Sequence, residues 1–430
     1  MKYYLGLGSN KGERKNILES ALRKIKAIST ASEFRVSPLY ETPALLPKGA
    51  RSDWNKNYLN LVCELECELP PVELLKVTQK IEIEYGRRRN LKWEPRELDI
   101  DLLLCDSLAE ATKILRLPHP EIQRRAFVLD PLKDLNPNQI FTDGRTVLQL
   151  SREHPQHSPL WMAILNLTPD SFSDGGRLGN ETALESEIDL LIDSHVAFID
   201  LGAESTRPGA LIIDPQKEWE RLVPAFKLLR SKSKNEFLRP LISVDTRNYS
   251  TAIQAIEWGA DLINDVSGLA DERFVELIRD CGCSYVLTHS LGVPANPKWT
   301  LPENLEVMEE LNLWFEKKIE VLLKKGMKQD QIILDPGIGF GKTALQSQII
   351  LKNIEQLYGL NCRVLIGHSR KSFLSSISSA LPQVLPQERD FESIGISLSM
   401  ASKGVDILRV HNPTAHIRAF QAWNCIRRSP

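Results

Sequence analysis

Long apolar runs are missing from this chain of 430 residues. No stretch approaches the roughly twenty residues that a membrane helix needs, so no membrane partner is expected. A charge excess is missing too. Lysine and arginine number 54 against 56 aspartates and glutamates, so no general field draws in nucleic acid, and any phosphate binding has to be local. Cysteine is sparse. The seven residues are an odd number, lie mostly in apolar segments and show no CxxC spacing, which argues for reduced buried thiols rather than zinc ligands. Cys281 and Cys283, at the edge of an apolar strand, read as core. The chain opens directly in a strand with neither an h-region nor an Arg- and Ser-rich leader, so the expectation is a soluble cytoplasmic protein.

What is present is ordinary globular composition, 42% apolar and 26% charged, over a length that predicts two domains. Residues 2 to 7 read as a strand. Gly6-Leu7-Gly8-Ser9-Asn10 then turns into a helix whose Ile17, Leu18, Ala21, Leu22 and Ile25 share a face. That GxGSN run is weak evidence by itself and is compatible with turn geometry alone. Strands are expected at about 31 to 40 and 57 to 68, then a helix over 71 to 85 with proline at its start and Gly86 at its end. The order β-α-β-β-α-β predicts a ferredoxin-like α+β domain over residues 1 to 152.

Gly86 to Leu104 is the informative segment of that half. Four arginines and a lysine on a loop precede a strand in which Asp99 and Asp101 share a face, because side chains in a strand repeat every two residues. Two such carboxylates repel unless a cation lies between them. Mg²⁺ takes one or two carboxylates plus phosphate oxygens, and the arginines would balance the rest of a nucleoside triphosphate. A solvated edge strand after a basic turn is the plainer alternative.

The GSN turn, Tyr40-Glu41-Thr42-Pro43, Tyr58-Leu59-Asn60, Gln79-Lys80-Ile81-Glu82, PRELDIDLLL, Leu117-Pro118-His119-Pro120 and Arg125-Ala126-Phe127-Val128-Leu129 follow one another in order. In that order they resemble hydroxymethyl-dihydropterin pyrophosphokinase over nearly the whole segment. The resemblance implies that Asp99 and Asp101 hold two Mg²⁺. It also implies that Arg87 and Arg96 clamp the phosphates of ATP, the co-substrate, with Gln79, Glu82, His119 and Arg125 at the nucleotide. Tyr58 and Phe127 would sandwich the pterin, and Asn60 with Thr42 and Pro43 would read its edge. Glu94 departs from the family's usual glycine before the proline.

Residues 153 to 159 read as a short semi-rigid linker whose His154 and His157 are solvated. Beyond it, short apolar runs at 161 to 166, 196 to 202, 240 to 246, 261 to 266, 284 to 289, 331 to 337, 363 to 369 and 406 to 411 alternate with helical segments. Eight such units over residues 160 to 430 predict a TIM (β/α)₈ barrel of α/β class. Asn166, Asp200, Asp245, Asn264, Asp265, His289, Asp335, Ser369, Arg409 and His411 fall at or near the C-terminal ends of the runs, where barrel enzymes place their chemistry.

Together, ILNLTPDSFSDGG, ESTRPGA, SVDT, IND, LDPGIGFGK, SRKS and RVH resemble dihydropteroate synthase. The resemblance implies that Asp245, Asn264, Asp335 and Lys371 bind the pterin ring, and that Asn166 binds one Mg²⁺ on its pyrophosphate. Arg409 and His411 would hold the phosphates, with Thr206, Arg207 and Ser372 near para-aminobenzoate. Asp200 would support the mobile loops, and Asp170, Ser171, Ser173 and Asp174 would close over the site. The barrel is expected to dimerise. Departures from the family stand at Ala203, at Thr288 to Gly292, at His368, which reads as a packing or rim residue, and at Asn412. The two resemblances support each other, since one enzyme makes the pterin pyrophosphate that the other consumes. Two alternatives remain: a barrel transferring a methyl group from a reduced folate, which has no use for SRKS, RVH or a pyrophosphokinase, and an inactive pterin-binding scaffold.

Overall fold

Alternation of apolar side chains builds a sheet that needs cover on both faces, and the first half of the chain supplies it. In the computed structural model, which describes residues 1–31, 34–87, 93–106, 110–112, 114–168, 181–205, 210–232, 235–296, 298–377 and 385–427, the elements of this half are as follows. They are β1 (Lys2–Ser9), α1 (Arg14–Lys26), β2 (Tyr40–Thr42), β3 (Tyr58–Glu66), α2 (Pro71–Glu84) and β4 (Asp99–Cys105). The short pair β5 (Glu110–Ala111) and β6 (Arg116–Leu117), then α3 (Ala126–Leu135) and α4 (Val147–Glu153), complete it. The main sheet is antiparallel with spatial order β2-β3-β1-β4, the ferredoxin-like arrangement. Leu5, Leu7 and Leu61 point to the face covered by Leu18, Leu22 and Ile25 of α1 and Leu74 and Ile81 of α2. Tyr4, Val62 and Leu103 point to the other, against Leu129 and Leu132 of α3.

The expected strand over 31 to 40 is shorter than its composition suggests. Only Tyr40–Thr42 forms a ladder with β3, preceded by one bridge between Val36 and Cys63. Pro38 has no N–H to give, and the Ser37 hydroxyl accepts the Val62 N–H (3.0 Å) in place of a backbone carbonyl.

The histidines at 154 and 157 are not solvated as expected. His157 is 5% exposed. Asp130 on α3 is wholly buried and accepts hydrogen bonds from Ser151 Oγ (2.6 Å), His157 Nδ1 (3.0 Å) and Ser158 N (3.0 Å). A buried carboxylate needs donors, and this segment provides them. His154 is half-buried, with Nε2 3.2 Å from the Arg124 carbonyl.

The chain divides into two compact units, Met1–Ser158 with Lys234–Arg239, and Pro159–Ser233 with Pro240–Pro430. The short excursion belongs to the first unit because Glu19 of α1, 3% exposed, accepts the consecutive N–H groups of Glu236 (2.8 Å), Phe237 (3.2 Å) and Leu238 (3.2 Å). Leu238 is buried in the core beneath α1 and α2.

The second unit is a closed barrel of eight parallel strands. These are β7 (Leu160–Asn166), β8 (Phe198–Gly202), β9 (Leu241–Asp245), β10 (Leu262–Asp265), β11 (Ser284–Thr288), β12 (Ile332–Asp335), β13 (Arg363–Ile366) and β14 (Ile407–Val410). β14 returns to pair with β7, Leu408 against Trp161. The helices described between and after them are α5 (Glu181–Asp193), α6 (Pro215–Lys232), α7 (Tyr249–Glu257), α8 (Arg273–Cys281), α9 (Val307–Lys324), α10 (Ala344–Lys352), α11 (Asp390–Ser402) and α12 (Pro413–Arg427). Ile199, Leu201, Ile242, Val244, Ile263, Leu287, Leu334, Ile366 and Leu408 pack outward into one core with these helices. The alternate residues, Asp200, Ser243, Asp245, Asn264, Thr288, Asp335 and Arg409, therefore face the barrel interior.

Among the described residues no disulfide links any of the seven cysteines. Three are buried; Cys281, the last residue of α8, is exposed and so is not core, whereas Cys283 is half-buried and packs against the barrel core. Among the described residues no helix is long and apolar enough to cross a membrane.

Candidate active sites

β1 and β4 run antiparallel, with Gly8 opposite Asp99 and Gly6 opposite Asp101. The carboxylates open onto a cavity of about 370 Å³ lined by Thr42, Pro43, Tyr58, Asn60, Arg87, Arg96, Asp99, Asp101, His119, Arg125 and Phe127. The fold thus brings together eleven of the thirteen residues expected in this half. The two others, both on α2, lie outside that lining. Gln79 is half-buried, and Glu82, 2% exposed, accepts the Ile100 N–H (2.8 Å) and pairs with Arg87.

The glycines and Asn10 show what the GxGSN turn does. A Cβ on Gly8 would lie 2.9 Å from Asn60 Oδ1 and 3.4 Å from the Tyr58 ring, so only glycine lets those side chains cross β1. Asn60 in turn donates to Thr42 Oγ1 (2.8 Å). Asn10 Oδ1 accepts the Arg96 N–H (2.7 Å) and its own N–H donates to the Arg96 carbonyl (3.1 Å), so the turn holds Arg96 in place. The sequence offered only spacing as a sign of this. Leu45, Leu46 and Trp93 also line the cavity and carried no recognisable signal.

Charge here is balanced internally. Arg96 Nη1 lies 3.1 Å from both oxygens of Asp99, Arg87 Nη1 is 3.0 Å from Asp99 Oδ1, and Arg125 reaches Asp101 at 3.7 Å. Burial, then the neighbouring Asp99 charge, pushes the Asp101 carboxyl above the usual carboxylate range. Burial holds the His119 imidazole below its ordinary value. Among the described residues no three metal-ligating side chains cluster. A carboxylate pair facing a phosphate-sized cavity nevertheless fits Mg²⁺, and a divalent cation would offset the penalty that burial and Asp99 place on charged Asp101.

At the barrel mouth, Asp200 is fully buried and forms the hub. It accepts the Ser243 hydroxyl, Arg409 Nε (2.6 Å) and Asn264 Nδ2 (3.4 Å). Arg409 Nη2 continues to Asp245 Oδ2 (2.8 Å), so one guanidinium bridges two acids on β8 and β9. Burial pushes the Asp245 carboxyl up to about 7 despite Arg409, while the two carboxylates hold Arg409 above its ordinary value against its own burial. Asp335 at the end of β12 accepts the Gly337 N–H (2.8 Å), and burial raises it as well.

Lys371 Nζ donates to the Ile338 carbonyl and stands 4.6 Å above the Phe340 ring. Burial lowers it to about 8, against the pull of Asp335. His411 Nδ1 lies 3.1 Å from Ser369 Oγ. Asn166 is half-buried at the end of β7, and a Cβ on Gly202 would come 3.6 Å from its Oδ1. Beside Lys371, Ser372 is exposed at the start of a short 3-10 helix whose Phe373 and Leu374 are buried. Two polar atoms in this mouth, Asn264 Oδ1 and Thr288 Oγ1, are buried without a hydrogen-bond partner among the described residues. Thr206 and Arg207, and the loop with Asp170, Ser171, Ser173 and Asp174, lie outside the described residues.

The departures sit around these groups. His368 is fully buried, with Nε2 2.9 Å from the Ser393 carbonyl, as a packing residue would be. Asn412 accepts the Ala415 N–H (3.2 Å) and donates to Asp390 (3.1 Å). The Ala203 carbonyl accepts from Arg221 (2.9 Å), and Glu94 is exposed.

The pattern of the 7,8-dihydro-6-hydroxymethylpterin pyrophosphokinase family matches residues 4–137, and that of the pterin binding enzymes matches residues 162–411. A folate synthesis bifunctional protein of Chlamydia muridarum is 34% identical over 98% of this chain and 97% of its own length. Among solved structures, the dihydropteroate synthase of Yersinia pestis in a sulfonamide complex is 32% identical over 64% of this chain and 96% of its own, with a TM-score of 0.57. The dihydropteroate synthase of Anaplasma phagocytophilum, with bound 6-hydroxymethylpterin-monophosphate, is 31% identical over 62% of this chain and 99% of its own, with a TM-score of 0.55.

Proposed function

This chain belongs to the bifunctional folate synthesis enzymes, a hydroxymethyldihydropterin pyrophosphokinase joined to a dihydropteroate synthase, and on that premise we propose how its residues divide the two transfers. The first site, in residues 1 to 152, moves a pyrophosphoryl group from ATP to the hydroxymethyl oxygen of the pterin. Tyr58 and Phe127 stack on the flat ring, and Asn60, positioned by Thr42, reads its edge. Arg87, Arg96, His119 and Arg125 neutralise the triphosphate, with Glu82 orienting Arg87. Gln79 belongs to the nucleotide's surroundings. Asp99 and Asp101 would hold Mg²⁺, which would supply charge neutralisation at the phosphates. The shared cavity carries this reading, because it presents aromatic faces, carboxylates and cations to one ligand-sized space.

The second site, in residues 160 to 430, joins the pterin to para-aminobenzoate. Asp245 and Asp335 accept hydrogen bonds from the amino-pyrimidine edge, and Asn264 and Lys371 complete its recognition. The amine of para-aminobenzoate attacks the pterin CH₂ carbon, the carbon–oxygen bond to pyrophosphate breaks, and the amine loses a proton. Arg409 and His411 stabilise the departing charge, which needs no covalent enzyme intermediate. Asn166 is the residue read as holding the metal there, and Thr206, Arg207 and Ser372 adjoin para-aminobenzoate. The same reading carries two Mg²⁺ at the first site and one at the second, residues 153 to 159 as the junction, a homodimer through the barrel, no nucleic-acid or membrane partner, and a cytoplasmic location.

Purified protein supplied with ATP, Mg²⁺, hydroxymethyldihydropterin and para-aminobenzoate should yield dihydropteroate, AMP and pyrophosphate. No product from either the alcohol or its pyrophosphate would overturn the assignment. The pH profile tests the residues themselves. Asp245 accepts through both oxygens only when ionised, and Lys371 carries its charge and third donor only when protonated. kcat/KM for the synthase step should therefore fall below about 7 and above about 8. A flat profile from about pH 6 to 9 would remove both from the recognition set.

A further inference from the structure

The glycine-rich turn after β12 ends in Lys342, a lysine that neither transfer uses. Its Nζ is buried, lies 2.7 Å from His289 Nδ1 and donates to the His289 carbonyl (2.7 Å) and the Phe340 carbonyl (3.1 Å). These three contacts satisfy Nζ fully, as three donations from an ammonium or as two donations and one acceptance by a neutral amine.

All three partners are neutral, and the burial that pushes Lys342 well below its ordinary value is opposed by the charge of Asp335. The contacts it makes span two rim loops, the one after β11 and the one after β12. The approach between those loops is close: a Cβ on Gly337 would lie 2.0 Å from the His289 oxygen. On its far side the same turn holds Lys371, through the Ile338 carbonyl and the Phe340 ring, and a Cβ on Gly339 would sit 3.3 Å from Lys371 Cδ.

We infer that Lys342 is a positioning residue of the synthase: its Nζ clamps the turn of residues 337–341 against His289, so that Ile338 and Phe340 present Lys371 to the pterin. The inference rests on the reading of Lys371 as a pterin ligand. The Lys371 charge lowers Lys342 further. The charged groups that act on Lys371 are Asp335 on β12, Asp245 on β9 and Arg409 on β14.

The test compares Lys342→Met and Lys342→Arg in the full chain, with circular dichroism and thermal unfolding as the control of folding. Lys342→Met should raise KM for the pterin pyrophosphate about tenfold or more and leave KM for para-aminobenzoate within about twofold. Lys342→Arg, which keeps the donors, should recover most of the KM. An unchanged KM in Lys342→Met, or equal losses in every parameter, would overturn the inference. If that variant does not fold, His289→Leu removes one partner and should raise the same KM, whereas His289→Asn should largely preserve it; equal behaviour of the two would also overturn it. Lys371→Gln separates the premise. If it leaves KM for the pterin pyrophosphate untouched, the assignment of Lys371 fails and the clamp has nothing to position.

Discussion

Asp99→Asn should abolish pyrophosphoryl transfer, with AMP release from ATP falling by about 10³ or more, while dihydropteroate still forms when pterin pyrophosphate is supplied. Asparagine keeps the shape of the side chain and removes its charge. The Mg²⁺ pair would then be left with Asp101 alone, whose charge burial already penalises. Arg96 would lose the carboxylate that it meets with both oxygens at 3.1 Å, whereas Arg87 would keep Glu82. The loss should therefore be one of chemistry and phosphate alignment, with pterin binding largely intact. AMP release within about tenfold of the unaltered protein would show that the pair is not the metal site.

The second large effect is expected at Arg409. Arg409→Gln should lower synthase kcat/KM by about 10² to 10³ because it removes a cation from the departing pyrophosphate. It should also destabilise the barrel by about 3 to 5 kcal/mol, since fully buried Asp200 and its neighbour Asp245 lose the guanidinium between them. The two losses separate in a double variant. Adding Asp245→Asn to Arg409→Gln should restore part of the stability, measured by denaturant unfolding, without restoring activity. If the single variant unfolds like the unaltered protein, the bridge contributes no net stability.

Much of this architecture can be read from the sequence because the barrel has a local grammar. Each strand is a short apolar run, and most carry a polar residue at or near the C-terminal end, on the rim where barrel enzymes place their chemistry. The same holds for PRELDIDLLL, where the period of two places both aspartates on one face. What escapes such reading depends on contacts distant in sequence. Pro38 and the Ser37 hydroxyl shorten a strand that its composition supports. His157 looks like a solvated linker residue until Asp130, 27 positions away, is known to need its proton. Glu82 sits in a motif expected at the nucleotide, yet its carboxylate is spent on the Ile100 N–H and Arg87. Lys342 ends a glycine-rich run that is not a P-loop, and nothing local to that run shows that its partner is His289.

The short segment Lys234–Arg239 limits how this polypeptide can be divided. Although it lies between α6 and β9 in the chain, its Leu238 fills the core under α1, and its N–H groups satisfy Glu19. A chain cut after Ser158 would leave that carboxylate facing a gap and remove an apolar plug from its own interior. The seam between the two enzymes is therefore not a point on the sequence. Any partition into independent proteins, by a gene or by a protease, has to replace those six residues or tolerate the hole they leave.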